Sequence, residues 1–479
     1  MYRYLLTIAL AASLVASVAA SASDNDLAIT LYRRNGDALF DGGESALAEG
    51  YAIVHERRAL ALAGSRRRIL IDGLPATLDA EAITVLLDGN AQILARHVFP
   101  AGGGSQLAAH RGEHVDVFAA DGKSMVDGIL LGLNRSDLEV RASDGTVSYV
   151  HDYTRITFPE GGGRPGSRLQ LMVRDAGRTS HADLTYPTSG LGWRAAYSAM
   201  LQPGADCRVQ LESLASIANR SGRDFPDAHL ELVAGEPNFA KPTAPQPVAL
   251  KASAYSAAPE TLPEQGALED YRVYAIDGTL DLPDASVTQV LLYALQDLAC
   301  TRMLLVDAGG GGWTPPKPMT VDNGYLRNLS KATSRLAFTA PVNLPAGFVR
   351  VLTRAKDGYG EFLGEARIGD TPQNQKVDFA LGSSFDVTAT RERTLFNVDQ
   401  AAHEMSEGFR ITLGNGGDIR RTITLRDHPY RWRNWSLVSS SVKPARQTPD
   451  LLEFRVNVPA GGESVLDYTV RYQWTAADE

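Results

Sequence analysis

Tyr186 to Asn238, YPTSGLGWRAAYSAMLQPGADCRVQLESLASIANRSGRDFPDAHLELVAGEPN, is the stretch that sets the fold class. Cys207, Val209 and Leu211 alternate with Arg208, Gln210 and Glu212, and Leu230, Leu232 and Ala234 alternate with His229, Glu231 and Val233, the period of two that half-buried strands require. Between them, Asn219-Arg220-Ser221-Gly222-Arg223-Asp224 is turn chemistry: Gly tolerates positive φ, and Asn, Ser and Asp side chains bond nearby backbone. Two strands joined across a polar corner are expected, and the chain reads as all-β.

Upstream, Leu27 to Tyr32 is a short strand. Ala52 to Leu62 and Arg66 to Ile71 flank Ala63-Gly64-Ser65 and read as a hairpin; Ile83 to Leu87 and Gln92 to Phe99 follow. Val115 to Phe118, Ile129 to Leu133, Leu138 to Arg141, Val147 to Val150 and Ile156 to Pro159 are five short strands whose spacing suggests a small SH3-like barrel. Arg168 to Arg174 is one more strand. Phe239 to Asp270 is rich in Pro, Ala and Glu without a period and reads as a long mobile surface loop. Tyr271 to Ile276, Val287 to Leu292, Cys300 to Val306 and Leu336 to Thr339 resume the strand pattern.

The end of the chain alternates most regularly. Phe409, Ile411 and Leu413, then Leu452, Phe454, Val456 and Val458, then Leu466, Tyr468, Val470, Tyr472 and Trp474 each lie on one face of a strand. The expected architecture is therefore multi-domain β-sandwiches: an export segment at 1–22, an N-terminal β domain at 23–100, the barrel insert at 105–160, a central sandwich at 165–340 and an immunoglobulin-like sandwich at 345–479.

Arg3, the apolar run Leu5 to Ala19 and the small residues Ala20-Ser21-Ala22 have the order of a secretory signal cleaved near Ala22, so the product is expected in the periplasm or outside the cell. No later run is apolar enough for a spanning helix, and none is expected in the mature chain. The formal net charge of −9 argues against a nucleic-acid binder. Cys207 and Cys300, in a chain bound for an oxidising compartment, are either a disulfide or two buried thiols; their number does not say which.

Gly192-Trp193-Arg194-Ala195-Ala196-Tyr197, the corner Asn219 to Asp224, Leu230 to Pro237, Leu344-Pro345-Ala346-Gly347, Gly364-Glu365-Ala366, Ala380 to Asp386 and Leu466 to Trp474 together resemble the bacterial family of domain of unknown function 4139, relatives of the mucoidy-inhibitor-like proteins. The resemblance covers the mature chain and is strongest from Leu184 onward. It implies a secreted or envelope all-β protein with no established activity, and the mucoidy association points to exopolysaccharide or envelope biology. Some relatives carry a long coiled coil between their two β parts; this sequence has the five short strands there instead. No functional residues follow from the resemblance.

Among chemical motifs, His110-Arg111-Gly112-Glu113-His114 has the inverted zinc-protease spacing, but that chemistry needs a helix, and here Gly112 interrupts and a strand begins at Val115. His403-Glu404 has no second His in register. Gly161, Gly163 and Gly166 fit a dinucleotide loop only formally, since Pro165 and the missing helix remove the phosphate site, and Arg66-Arg67-Arg68 reads as a solvated strand edge. Asp224 and Asp227 with Asn219 offer calcium-type oxygens, with capping of their own turn the simpler reading. Tyr430, Arg431, Trp432 and Arg433 form the densest aromatic and basic cluster, which could stack on sugar rings as a ligand surface; since one indole of a sandwich usually fills the core, Trp435 is expected buried and Trp432 is the one indole left open to a ligand role. No catalytic residue, metal or cofactor is expected. The function that fits is a non-enzymatic envelope protein, a scaffold, adhesion or polysaccharide-associated module whose partner is an envelope protein or polysaccharide. The alternative is an unrecognised hydrolase of envelope glycans.

Overall fold

The computed structural model describes residues 26–33, 36–43, 45–60, 68–89, 91–101, 107, 110–134, 137–158, 166–174, 179–204, 206–235, 237, 265–268, 271–308, 315–322, 328–354 and 359–478. Residues 1–22, read above as an export signal, Arg66 and Arg67, the glycine joint before Gly166 and most of the 239–270 stretch lie outside them. The described elements are almost all strands, and they fall into two compact units. The described residues up to Gly192 and from Ala218 to Ser286 form the first; those of Trp193–Ile217 and from Val287 onward form the second.

In the first unit an eight-stranded sheet runs in the order Gln265–Leu268, Tyr271–Ala275, Phe225–Ala234, Leu27–Tyr32, Ala52–Ala59, His181–Thr188, Thr84–Leu87, with Leu280–Leu282 also on Phe225–Ala234. Its centre is a parallel pair, Ile29 beside Leu230 and Leu31 beside Leu232, all four buried. Ala52–Ala59 and Arg68–Leu74 are both strands, but they do not form the expected hairpin. The first joins the eight-stranded sheet, while the second joins Ser167–Arg174 and Gln92–Phe99 in a separate three-stranded sheet. Alternation marks a strand and is silent on its partner.

The expected barrel strands are present as Arg155–Thr157, His114–Phe118, Ser124–Asn134, Asp137–Ala142 and Val147–Val150, in that spatial order, over a core of Val115, Val117, Leu130, Leu138, Val140 and Val150. Its outer strands pair only with their inner neighbours, so the sheet is open where closure was expected. Those outer strands have three and four residues, too few for the staggered ladder that closes a barrel. Gln265–Leu268 is likewise a strand within a stretch read as loop.

The second unit holds a sheet of 13 strands. Its main path is Gly360–Ile368, Gly347–Arg354, Leu191–Leu201, Arg208–Asn219, Ser286–Asp307, Asn328–Thr339, Lys376–Asp399, Glu404–Asn415, Gly462–Gln473 and Trp435–Ser440. Arg421–Asp427, Leu451–Val458 and Arg446–Thr448 branch from it. Phe409, Ile411 and Leu413 share one dry cluster with Ile423, Leu425, Leu452, Phe454, Val456, Leu466, Tyr468 and Val470, the interior that the alternation of the last strands called for. Residues 287–292 and 300–306 belong to a single strand of 22 residues, Ser286–Asp307.

Two asparagines end two twelve-residue strands by the same device. The Asn219 amide donates to the carbonyls of Arg223 and Leu282, both at 2.8 Å, and its oxygen accepts from the Ser221 backbone N–H. The Asn415 amide donates to the carbonyls of Ile419 (2.8 Å) and Pro459 (2.9 Å), and its oxygen accepts from the Gly417 N–H. Both side chains are buried, and each satisfies backbone carbonyls just beyond the end of its strand. Asn415→Ala would leave two carbonyls unpaired, and a loss of about 2–4 kcal/mol is expected in urea unfolding. A variant as stable as wild type would refute this role.

Cys207 and Cys300 are bridged, with Cα atoms 5.0 Å apart across 93 positions of sequence. The chain-entropy model values a loop of that size at about 4 to 5 kcal/mol. Cys207→Ser with Cys300→Ser is therefore expected to lower the unfolding free energy by about that amount; unchanged thermal unfolding after reduction would contradict it.

Candidate functional site

At the centre of the aromatic and basic cluster, Trp432 and Arg431 are interior, while Arg433 is exposed and Trp432 offers no stacking face. Trp432 is 2% exposed, inside the core of the second unit, and Arg431 is 4% exposed. Arg431 donates from Nε to Glu407 at 2.9 Å and from its terminal nitrogen to the carbonyls of Met319 and Val321, while its guanidinium lies over Phe396. Arg433 covers the Trp432 ring at 4.4 Å and pairs with Asp478. Tyr430 is half-buried, and its phenol is pushed up by burial and by Glu407. Trp435, expected inside, is the half-exposed indole, on the edge strand Trp435–Ser440 with its N–H on the Pro449 carbonyl. Residues 428–434 are not a strand, so alternation does not determine which way their side chains point.

What the cluster builds is a buried ion network. Glu407, fully buried on the inward face between Met405 and Phe409, takes Arg431 on one oxygen and lies 3.6 Å from Arg393; among the described residues its other oxygen has no hydrogen-bond partner. Burial raises its pKa against the pull of Arg431, Arg391 and Arg393. Beside it, Arg391 donates to Asp427 at 2.9 Å, its guanidinium sits 3.5 Å over Phe409, and the Tyr468 hydroxyl donates to the same carboxylate. Burial, then Asp427, drives the Tyr468 phenol well above its usual range. These charges are gathered inside a core, where Glu407 has no exposed surface.

The first unit has its own buried carboxylate. Glu56 accepts from Arg223 at 2.7 and 2.9 Å, from Arg58 at 2.7 Å and from the Tyr186 hydroxyl at 2.7 Å. Burial alone would raise its pKa, but the hydrogen bonds and charges of Arg223 and Arg58 outweigh that and hold it at about 2. Tyr186 moves well above 10.0, by burial first and by Glu56 next.

The weaker motifs resolve as structure. His110 is buried, stacked on Phe158 and bonded to Glu113 at 2.6 Å, whereas the His114 ring is 2.8 Å from Asp127, so the two imidazoles do not meet at one metal. Asp224 accepts the Asp284 backbone N–H, Asp227 takes positive φ, and the Asn219 oxygen is occupied within its own turn; the three do not make a calcium site.

The outward face with chemistry suited to a ligand is one that alternation could have flagged but no dense motif marks. Across Leu191–Leu201, Gly347–Arg354 and Gly360–Ile368, the register sets Ala196 beside Phe348 and Phe348 beside Arg367, then Ser198 beside Arg350 and Arg350 beside Glu365, then Met200 beside Leu352 and Leu352 beside Phe362. The guanidiniums of Arg194 and Arg367 lie 4.7 and 4.5 Å from the Phe348 ring centre, Arg350 pairs with Glu365 at 2.5 Å, and Phe362 is 63% exposed. Basic, aromatic and apolar groups thus share one rigid sheet surface.

A family model described as a domain of unknown function, DUF4139, matches residues 182–476. The chain belongs to the DUF4139 family. No curated protein matches it. Residues singled out for the resemblance prove to be packing devices of the DUF4139 fold. Tyr197 donates to the Pro345 carbonyl at 2.7 Å, a Cβ on Gly347 would strike the Ala195 carbonyl, and one on Gly364 would strike that of Leu381. Among the described residues no helix is long and apolar enough to cross a membrane.

The Glu56 clamp has a pH signature. Its folded pKa of about 2 lies below the ordinary 4.5, so its contribution is complete above about pH 4.5 and is lost as pH falls toward 2. Glu56→Gln should cost about 3 kcal/mol at pH 7, and the gap to wild type should close between pH 4.5 and 2, as read by urea unfolding. A gap that stays constant over that range would show that packing, not charge, sets the loss.

Proposed function

We propose that this DUF4139 protein is an exported, non-enzymatic component of the bacterial envelope that binds acidic polysaccharide through the outer face of Leu191–Leu201, Gly347–Arg354 and Gly360–Ile368. The observation that carries the reading is Phe348 flanked by Arg194 and Arg367 on an outward sheet face. An aromatic ring gives a sugar ring a flat apolar contact, and guanidiniums suit carboxylates by their planar fork. The Cys207–Cys300 bridge supports export, since such bonds persist in oxidising compartments. The signal-like first 22 residues agree with it.

A glycan hydrolase would need two carboxylates facing each other across a substrate cleft. Glu407, the buried carboxyl with a raised pKa, is instead enclosed beside Arg431.

Arg350→Glu with Phe362→Ala changes exposed side chains and leaves the core intact. Binding of the full chain to uronate-rich polysaccharide, followed by calorimetry, should weaken at least tenfold in this variant and also weaken with salt, while neutral glycans bind poorly to both forms. Equal binding by variant and wild type, or none by wild type, would overturn the assignment.

A further inference from the structure

A second arrangement lies on the five-stranded sheet, apart from the face just described. His114 and Asp116 stand two positions apart on His114–Phe118, and Asp127 on Ser124–Asn134 is the direct cross-strand partner of Asp116. The period of two and the register put all three on one side of the sheet. One ligand atom from each lies within 4.8 Å of the others, and His114 Nε2 is 2.8 Å from an Asp127 oxygen. Their side chains are half-buried, half-buried and exposed, so water and ions have access.

The pairing of Asp116 with Asp127 runs against what a sheet prefers, because like charges directly opposite each other repel. Neighbouring cations are otherwise placed. Arg155 lies 4.2 Å over the Phe118 ring, Lys123 is paired with Asp121 at the turn, and Arg141 stands beside Ile129, one rung from the two carboxylates. The sheet thus holds two carboxylates together with an imidazole beside them.

We propose that His114, Asp116 and Asp127 bind a first-row divalent transition metal ion of the zinc class. One imidazole nitrogen and two carboxylate oxygens are the donor set such ions take at about 2.0 to 2.2 Å, and three protein ligands leave a coordination position for water. An imidazole is not a ligand for calcium or magnesium, which take oxygen. The strands fix the backbone of all three residues, so the 4.8 Å spread of their ligand atoms is left to side-chain rotation to close. The ion converts the carboxylate repulsion into attraction.

Calorimetric titration of the untagged full chain with Zn2+, in a buffer that does not chelate, tests this. One equivalent should bind, at least tenfold more tightly than Ca2+ or Mg2+, and His114→Ala or Asp127→Asn should each weaken Zn2+ at least tenfold. Asp121→Asn, in the same hairpin but outside the trio, should bind as wild type. Thermal unfolding gives a readout that holds if a variant is less stable. Zn2+ should raise the midpoint of wild type and of Asp121→Asn, and leave that of Asp116→Asn unmoved. Zn2+ binding that survives both His114→Ala and Asp127→Asn, or no preference over Ca2+, would overturn the site.

Discussion

Long strands end somewhere, and where they end inside a protein their backbone carbonyls still need donors. That constraint shapes both units. Asn219 and Asn415 meet it identically, each with an amide reaching the carbonyl four residues on and a second carbonyl from a distant segment, Leu282 in one unit and Pro459 in the other. A short amide is the side chain for this, because it donates and accepts from one planar group without adding charge. Each corner thereby fixes the entry of the following strand, Phe225–Ala234 or Arg421–Asp427, and each of those strands carries a parallel pairing, with Leu27–Tyr32 or with Ser286–Asp307.

Buried charge follows a second logic, and the two glutamates show its limits. Glu56 and Glu407 have the same chemistry and comparable burial, yet their pKa values move in opposite directions. Both oxygens of Glu56 are met by guanidinium hydrogen bonds, whereas Glu407 has one oxygen served and the other without a partner among the described residues. Desolvation acts on a whole carboxylate, while hydrogen bonds compensate it oxygen by oxygen. Half-compensated, Glu407 marks where the core trades stability for a defined arrangement of Arg391, Arg393 and Arg431.

Strands were legible because alternation is a local property: Leu27–Tyr32, Gln92–Phe99 and Val147–Val150 have the bounds their residues suggest. Partners were not, since a strand's neighbour is set by distant segments; hence Ala52–Ala59 and Arg68–Leu74 lie in different sheets. Ser286–Asp307 read as two strands because its alternation slips: Leu292 and Tyr293 are both buried, and Ala294 and Leu295 both exposed. The Trp432 and Trp435 assignment failed for the matching reason, with Trp432 in a turn where no period applies. The outer face around Phe348 was not marked by any motif, because one of its three strands, Leu191–Leu201, is distant in sequence from the other two.

The family match begins at residue 182, so the surface around Phe348 lies within it and the His114, Asp116 and Asp127 trio lies before it. The five-stranded sheet as a whole likewise lies ahead of the matched residues. Its core of Val115, Val117, Leu130, Leu138, Val140 and Val150 is drawn from its own strands. Side chains on its polar face are then free of packing demands that fix residues such as Gly347 and Tyr197. A cation site can be built on such a face by two cross-strand positions and one neighbour, leaving the family's sandwich unaltered.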